Sequence, residues 1–330
     1  MATKLEISQL NFDAIKSNLK QFLSNQNQFK DYDFEGSGMA VLLDLLAYNT
    51  HYLAYNANIA ANEMFIDTAD LRPSIVSLAK ALGYTPNSVR SPLADINVVV
   101  NGATGATLTM NAGTQFTTAV DGTNYNFVTI GSNTISPIDG VYTFSNLKIY
   151  EGTYVTYNYT ADTTDIDQKF LIQSENADTT TLSVQVQNSA SDTTTNTYTR
   201  ATSITELDSD SKVYFLQESD DGKFEVYFGD GVVGKAIENG NIVILKYVVT
   251  NKAAANGATS FSLSGNIGGN TNVTITVNSN AANGSEAESK ESIKFKAPKS
   301  YAAQDRAVTV NDYKVKVEEI YANASSVSAW

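Results

Sequence analysis

The chain has 330 residues, 42% hydrophobic and 17% charged, so it is long enough for two or three domains and too apolar to be largely disordered. Its net charge of −13 disfavours nucleic acid as a partner, because phosphate contacts require a basic face. The absence of cysteine excludes disulfides, thiolate nucleophiles and Cys-type zinc sites. No apolar run reaches membrane-spanning length, and no membrane insertion is predicted.

Residues 1–92 predict a helical head. A first amphipathic helix is indicated by an apolar stripe formed by Ile15, Leu19, Phe22 and Leu23. A longer helix is predicted from Gly38 to Met64, and it carries two apolar faces. One face consists of Met39, Leu42, Leu43, Leu46 and Leu53, and the other of Leu45, Tyr48, Tyr52, Tyr55 and Ile59. Two apolar faces imply two packing partners, as in a helical bundle.

A third helix is predicted to start near Thr68 or Asp70. Pro73 is compatible with its first turn, and Gly83 is suited to its C-terminal cap. Pro86 and Pro92 then bracket a linker, after which the character of the sequence changes to short runs of β-branched and aromatic residues.

Residues 93–283 predict a mainly antiparallel β region of the sandwich or barrel type. The polar stretch Thr160–Gln168 is a candidate boundary between two β subdomains. The predicted strands are Ile96–Val100, Tyr125–Thr129, Tyr154–Tyr159, Thr181–Val186, Lys223–Phe228, Ile242–Val249 and Val273–Val277.

Residues 284–330 predict a short α/β connector whose fold is incomplete within this chain. Helical character is expected to return near Gly284, with Ser285–Glu288 as a cap, and again from Thr309. Ser326–Trp330 is expected to be a strand without a partner in the chain. Between residues 290 and 316 there are seven basic and three acidic side chains, so this stretch is either a solvated surface or a dock for an acidic neighbour.

Residues 229–234, Gly-Asp-Gly-Val-Val-Gly, match the dinucleotide fingerprint and, with Lys235, nearly match a P-loop. Both motifs need a following helix whose amides face phosphate. Here the β run Ile242–Val249 follows instead, and Ala236 stands where a P-loop has Ser or Thr. We therefore interpret the glycines as tight turns in a β-hairpin connection and predict no nucleotide cofactor.

No catalytic, cofactor-binding or metal-binding residues are predicted. His51 is the single histidine and lies in the middle of a predicted helix, where a packed or surface role is expected. Asp208-x-Asp210 and Asp220-Asp221 hint at a calcium loop but lack its full spacing and distal Glu. We interpret these aspartates as solvated turn residues and the chain as a non-enzyme.

Three segments of the chain carry a resemblance to a known family. The first comprises Phe34–Gly38, Leu42–Tyr55, Asn62–Phe65 and Ala81–Tyr84, and it resembles the helical head of baseplate wedge subunits from T-even-like contractile-tailed bacteriophages. The second and third resemble the wider baseplate J-like family. The second comprises Val226–Gly231, Gly234, Gly240, Ile242, Tyr247, Asn256 and Gly257, and the third comprises Gly284, Glu288, Ser289, Ile293, Ala297, Pro298, Arg306–Thr309, Asp312 and Tyr313. The sequence departs from the family at Asn251 and Ala255, where glycines are usual.

The resemblance implies a structural protein of the virion, located in the tail baseplate and assembled in the host bacterial cytoplasm. Such subunits form a homodimer that joins a second wedge protein through a helical bundle. Six wedges, together with sheath-proximal baseplate proteins, surround the tail hub and rearrange on host attachment. Because family members extend well past this length, the resemblance implies that the chain is an N-terminal half and that a dimer-forming C-terminal half follows.

The fold expected from all of this is multidomain α+β: a helical bundle head, a central mainly antiparallel β region and a short α/β connector. Tail-fibre or host-surface adhesin domains are an alternative, since Thr/Asn/Tyr-rich β domains serve there too, and a carbohydrate-degrading tailspike is a further one. The candidate interaction residues are Leu42, Leu46, Leu53 and Tyr55 on the long helix, Lys294, Lys296 and Arg306 in the basic stretch, and Trp330.

Overall fold

The computed structural model of the protein describes residues 11–29, 32–34, 36–201, 207–219, 222–304, 306–320 and 327–328, with the backbone alone at residues 311 and 318–320. The chain divides into two compact units. One comprises Met1–Gly83 with Lys290–Pro298, and the other comprises Tyr84–Ser289 with Lys299–Trp330. The predicted division into residues 1–92, 93–283 and 284–330 stays a prediction.

The first unit contains the helices α1 (Phe12–Ser24), α2 (Met39–Asn62) and α3 (Arg72–Ala81). The side-chain oxygen of Asn11 caps α1 by accepting a hydrogen bond from the amide of Ala14 at 3.2 Å. Pro73 lies in the first turn of α3, and Gly83 ends that helix with φ +75° while donating its amide to Lys80 O at 2.9 Å. The three predicted helices and the glycine cap are confirmed.

The second unit contains the strands, fifteen of them in the part of the chain that the structure describes. They are β1 (Leu93–Val100), β2 (Leu108–Met110), β3 (Gln115–Val120), β4 (Thr123–Val128), β5 (Asn133–Ile135), β6 (Tyr142–Glu151), β7 (Thr153–Thr160), β8 (Phe170–Leu171), β9 (Ala177–Gln187), β10 (Thr195–Arg200), β11 (Val213–Glu218), β12 (Phe224–Phe228), β13 (Ile242–Val249), β14 (Ser262–Ser264) and β15 (Val273–Ala282). All seven predicted strands are present.

The strands form a six-stranded sheet in the order β14-β3-β4-β6-β1-β15, a seven-stranded sheet in the order β7-β13-β9-β10-β11-β12-β8, and the pair β2-β5. Pairing is antiparallel except between β10 and β11. Each large sheet has its own hydrophobic core, the first built around Phe116, Phe127 and Phe144 and the second around Phe170 and Tyr247. The predicted α+β class with a mainly antiparallel β region is confirmed.

The chain passes from one sheet to the other at Gly152, between β6 and β7. Its φ is +127°, and a Cβ there would meet the carbonyl oxygen of Val249 at 2.2 Å, so only glycine fits without displacing β13. By contrast, residues 160–168, the predicted subdomain boundary, join β7 to β8 within the same sheet. The change of sheet lies at Gly152, where a one-residue connection joins β6 to β7 without a polar linker.

Next to Gly152, the fully buried carboxylate of Glu151 links the two sheets. It accepts hydrogen bonds from the Thr250 hydroxyl at 2.7 Å, the Asn251 amide at 2.9 Å and the Asn251 side chain at 2.8 Å. Glu151 ends a strand of the first sheet, whereas Thr250 and Asn251 follow a strand of the second. A buried carboxylate that satisfies three donors fixes the two sheets against each other.

The two ends of the β region meet through residues 284–289. Arg90 and Ser285 exchange backbone hydrogen bonds at 3.0 and 3.1 Å. The predicted return of helical structure is confirmed by a helix that begins at Lys290, but Ser285–Glu288 does not cap it, because pairing with Arg90 holds this segment extended.

Two helices follow, α4 (Lys290–Ala303) and α5 (Val310–Ile320). Pro298 lies inside α4, where it removes one backbone donor from the helix. The predicted start at Thr309 is confirmed: the Thr309 hydroxyl accepts from the Asp312 amide, and the Asp312 carboxylate accepts from the Thr309 amide at 2.8 Å. Of the expected strand Ser326–Trp330, Val327 and Ser328 have no strand structure, and the rest lies outside the described residues.

Candidate assembly surfaces

Helix α2 buries little of its apolar surface. Its buried residues are Leu43, Ala47, Asn58 and Asn62, which lie on one side of the helix. Nine other large apolar side chains of the helix are exposed by 39–70%: Val41, Leu42, Leu45, Leu46, Tyr48, Tyr52, Leu53, Tyr55 and Ile59. We call these nine side chains the α2 surface. The predicted second packing partner is not supplied by the described part of this chain.

Six members of the α2 surface form one continuous row at alternating intervals of four and three residues: Val41, Leu45, Tyr48, Tyr52, Tyr55 and Ile59. Leu42, Leu46 and Leu53 form a second row beside it. Spacing by four and three is the pattern of the contact positions in a coiled coil, which bring one helix into register with another. Val41 was missed in the sequence analysis, although this spacing is visible in the sequence.

Polar contacts hold α2 in place at both ends. Near its start, Lys16 of α1 forms an ion pair with Asp44 at 2.5 Å. After its end, the Glu63 carboxylate accepts the amides of Asp70 at 2.8 Å and Leu71 at 3.3 Å, which fixes the turn into α3. Partial burial opposes ionisation of Glu63, but the hydrogen bonds outweigh it and lower its pKa. The α2 surface is thus carried by a positioned helix.

The four helical candidates all belong to the α2 surface. Tyr55 lies in the first row, and Leu42, Leu46 and Leu53 form the second. Tyr48 and Tyr52 add an edge-to-face ring pair with centroids 4.8 Å apart, and the hydrogen bond between Tyr48 and Tyr52 is the main cause of the raised pKa of Tyr48. Tyrosine is enriched in protein interfaces because it combines apolar area with a polar tip.

The basic candidates lie on and after α4. Lys294 and Lys296 are half-buried, and Phe295 between them is 55% exposed. Arg306 has a role within the chain, since its guanidinium donates to Ala303 O at 3.2 Å and Ala302 O at 3.4 Å, two carbonyls at the end of α4. Trp330 lies outside the described residues, so its predicted role stays a prediction.

Residues from the three segments that carry the family resemblance contact one another. The Tyr84 hydroxyl donates to the Glu288 carboxylate at 2.9 Å, and the amide of Asn87 donates to the same group at 3.0 Å. The side chain of Asn256 exchanges two hydrogen bonds with the backbone of Gly284, at 2.9 and 3.0 Å. A Cβ at Gly284 would meet Lys252 O and Pro92 Cγ at 2.6 Å, so this crossing requires glycine.

The glycine-rich segment 229–234 forms a compact loop with no helix after it. Gly231 and Gly234 have positive φ, and a Cβ on Gly229 would meet Val233 O at 2.3 Å. The Asp230 carboxylate accepts the amides of Val232 and Val233, which lowers its pKa. The hairpin interpretation is wrong, because β12 and β13 on either side of the loop are not neighbours in the sheet. The loop instead carries the chain across the sheet.

Asp208 is a turn residue, as expected. Its carboxylate accepts from the Ser211 hydroxyl at 2.5 Å and from the Asp210 amide at 3.1 Å, and these bonds lower its pKa. Asp220 and Asp221 lie outside the described residues. Within the described ranges, no group of three or more His, Asp or Glu side chains is placed to hold a metal ion. No described helix has the length and apolarity to cross a membrane.

Comparisons with known proteins place the chain among the structural proteins of contractile phage tails. Residues 11–84 match the family model described as baseplate wedge protein gp6-like, helical domain. Residues 157–259 match that of the third domain of bacteriophage baseplate wedge protein gp6. The two matches together take in more than half of the chain, and they include α2 and most of the seven-stranded sheet.

The chain belongs to the gp6-like baseplate wedge family. It is 32% identical to baseplate wedge protein gp6 of Enterobacteria phage T4 over 335 residues, covering 93% of this chain and 49% of that protein. The chain thus spans about half the length of this curated relative. A cryo-EM structure of the anti-feeding prophage baseplate aligns with 92% of this chain and 56% of its own, at 12% identity and a TM-score of 0.32, a similarity too low to carry an argument.

Proposed function

We propose that the chain is a structural component of a phage tail baseplate wedge and that the α2 surface is buried against helices of other wedge chains. The observation that carries the proposal is the exposed four-three row on α2. It lies within residues 11–84, which match the helical domain of baseplate wedge proteins.

The partners we propose are a second copy of this chain and a second wedge protein, joined through a helical bundle. Wedges of this kind would close as a six-fold baseplate around the tail hub, meet sheath-proximal proteins, and rearrange when the virion attaches to its host. Assembly would take place in the host bacterial cytoplasm. Family membership supports this role, and we assign the chain no catalytic step and no cofactor.

The free energy available from burying the α2 surface is comparable to the cost of association. Burying a fully exposed large apolar side chain contributes about 1.5–3 kcal/mol, and the six side chains of the first row are about half exposed, so together they contribute roughly 5–9 kcal/mol. Association of two proteins costs about 4–15 kcal/mol in lost translational and rotational freedom. The free energy gained by burying the first row is therefore within the range of the cost of association, and burial of Leu42, Leu46 and Leu53 adds to it.

The test places charge on the row. Leu45→Glu with Tyr52→Glu should leave the isolated chain folded, because both side chains are already solvated, and should abolish its association with the partner wedge protein. Thr50→Glu is the matched control, since Thr50 is an exposed position of the same helix outside both rows.

Circular dichroism checks the fold, and sedimentation of the mixed wedge proteins measures association. Wild-type association by the double variant would contradict the proposal. A loss that is equally large in Thr50→Glu would show that charge anywhere on α2 disturbs the helix, and it would also contradict the role of the row.

A further inference from the structure

The two large sheets each have one short and one long edge strand. The short edges are β14, with three residues, and β8, with two. The long edges are β15, with ten residues, and β7, with eight. Neither long strand contains a charged residue or a proline, the devices by which proteins usually prevent an edge from pairing with another chain.

On β7 the direction of the backbone groups follows from its pairing with β13. Thr160 lies opposite Ile242, and in continuation of this register the Ala161 amide donates to Asn241 O at 2.8 Å. Since hydrogen-bonded and outward positions alternate along an antiparallel pair, the odd-numbered residues of β7 bond to β13 and the even-numbered ones point away. Gly152, also even-numbered, fits this pattern by donating to Asn126 O, away from β13.

Three consecutive outward positions of β7 are open. Within the described part of the chain, the backbone groups of Thr156, Asn158 and Thr160 have no backbone partner on the outer side. Their side chains are exposed. The register with β13 is unbroken over all eight residues, so the three positions form a regular template for another strand.

The long edge of the other sheet is less regular. The pairing of β15 with β1 shifts register on either side of Asp95. Near its end, Ala281 already exchanges backbone hydrogen bonds with Gly257 and Ala258, at 2.7 and 3.0 Å. An interrupted and partly covered edge is a poorer template for a further strand, and β7 is therefore the stronger candidate.

The core-facing side chains of β7 lie at the edge of the hydrophobic core of the seven-stranded sheet and are only partly covered. Val155 and Tyr159 pack against the core of the seven-stranded sheet but are only partly buried. Tyr157 is 40% exposed, although its ring lies parallel to the buried ring of Tyr247 with centroids 6.3 Å apart. An added strand with apolar side chains at alternate positions would cover these three residues.

The loop that follows β7 is acidic. Asp162, Asp165 and Asp167 are all exposed, and no basic residue lies between positions 161 and 168. Ile166, between two of these aspartates, is 95% exposed. A strand docked on β7 would pass this loop at the Thr160 end, where basic side chains would be complementary.

We propose that the outer edge of β7 accepts an extended strand from a partner protein chain of the wedge. This strand carries apolar side chains at alternate positions and basic residues where it passes the loop 161–168. Strand addition of this kind obtains affinity from main-chain hydrogen bonds and specificity from the alternate side chains. The site is separate from the α2 surface, and the inference rests on the proposed function only for the source of the partner strand.

The test is residue-resolved hydrogen exchange on the free chain and on the assembled wedge, after sedimentation has established that the wedge forms. In the free chain the amides of Val155, Tyr157 and Tyr159 exchange slowly, and those of Thr156, Asn158 and Thr160 exchange rapidly. In the wedge the even-numbered amides should slow at least ~100-fold, because they then donate to the added strand. This odd-even signature distinguishes strand addition from contact through side chains.

Two variants sharpen the test. Asn158→Pro removes an outward donor that β13 does not use, so the fold tolerates it while strand addition is blocked. Asn158→Ala removes the same side chain but keeps the donor. We expect the wedge to bind Asn158→Pro at least ~10-fold more weakly than Asn158→Ala, at equal melting temperature of the free chains.

The outcomes separate the two proposals. If the wedge forms and the even-numbered amides exchange as in the free chain, or if the two Asn158 variants bind alike, the β7 proposal is overturned while the wedge role stands. If the wild-type chain forms no wedge, the proposed function is overturned, and the β7 proposal with it.

Discussion

The β region and helix α2 treat apolar side chains in opposite ways. In the six-stranded sheet, Phe116, Phe127 and Phe144 are fully buried, and they come from three different strands. In α2, nine large apolar side chains are exposed and only Leu43 is fully buried. An apolar pattern therefore identifies the face that will be buried but does not tell whether the covering surface belongs to the same chain.

The largest expected effect tests this contrast directly. Phe127→Ala should lower the free energy of unfolding by about 3–5 kcal/mol, because it leaves a cavity in a packed core. Leu53→Ala on α2 should change it by less than about 0.5 kcal/mol, because Leu53 is already solvated in the free chain. Urea denaturation of both variants measures the difference, and similar losses would show that the α2 surface is a core face of this chain.

A smaller effect is expected at the junction of the two sheets. Glu151→Ala should lower the free energy of unfolding by about 1–3 kcal/mol, because it leaves the donors of Thr250 and Asn251 unsatisfied in a buried place. Glu175→Ala, at an exposed position, is the matched control. If the two variants unfold at the same urea concentration, Glu151 does not connect the sheets.

Alkaline pH should lower the stability of the fold through the core tyrosine Tyr247. Burial raises the pKa of Tyr247 to about 12. An unfolded tyrosine ionises near pH 10, so between about pH 10 and 12 the unfolded chain loses a proton that the folded chain keeps, and stability falls as pH rises. Tyr247→Phe should make this fall shallower, because it removes the group that ionises. Thermal melts from pH 8 to 11 decide this, and an unchanged slope in Tyr247→Phe would contradict it.

No effect at all is expected when nucleotides are added. The loop 229–234 leads into no helix, so ATP or NAD should not stabilise the chain. A ligand at 100 times its dissociation constant would add about 2.7 kcal/mol, which a thermal shift assay detects easily. A saturable shift would restore the nucleotide-binding interpretation of this loop.

A long run of β-favouring residues locates a strand well in the sequence, and a shift of the alternation hides one. The predicted bounds of β13 match the structure at both ends, because all of its residues except Lys246 are aliphatic or aromatic. β6 was missed, and the reason is visible in its burial: Tyr142 and Phe144 are buried, and then Leu147 and Ile149. The alternation slips by one residue at Asn146, which has φ +52°, so no single period describes the strand.

Other features depend on contacts distant in sequence and could not be predicted from local patterns. Glycine is required at position 152 because the carbonyl of Val249 leaves no room for a side chain. Glu151 is needed because its carboxylate accepts hydrogen bonds from donors about one hundred residues away. The segment at Ser285–Glu288 has the composition of a helix cap, but its pairing with Arg90 overrides that preference. For the assembly surface, the four-three spacing of the α2 row can be recognised in the sequence, whereas the exposure of its side chains can be known only from the structure.

The hydrogen bonds between Tyr84 and Glu288 have a modular consequence. They join residues 204 positions apart, so the segment that contains every described strand begins and ends at the same place. The helical unit has one part before this segment, Met1–Gly83, and one after it, Lys290–Pro298. This is the arrangement of a domain inserted into a host domain, which chains tolerate when the ends of the insert lie close together. The β region could therefore be exchanged between such proteins as a cassette, with Tyr84 and Glu288 marking its borders.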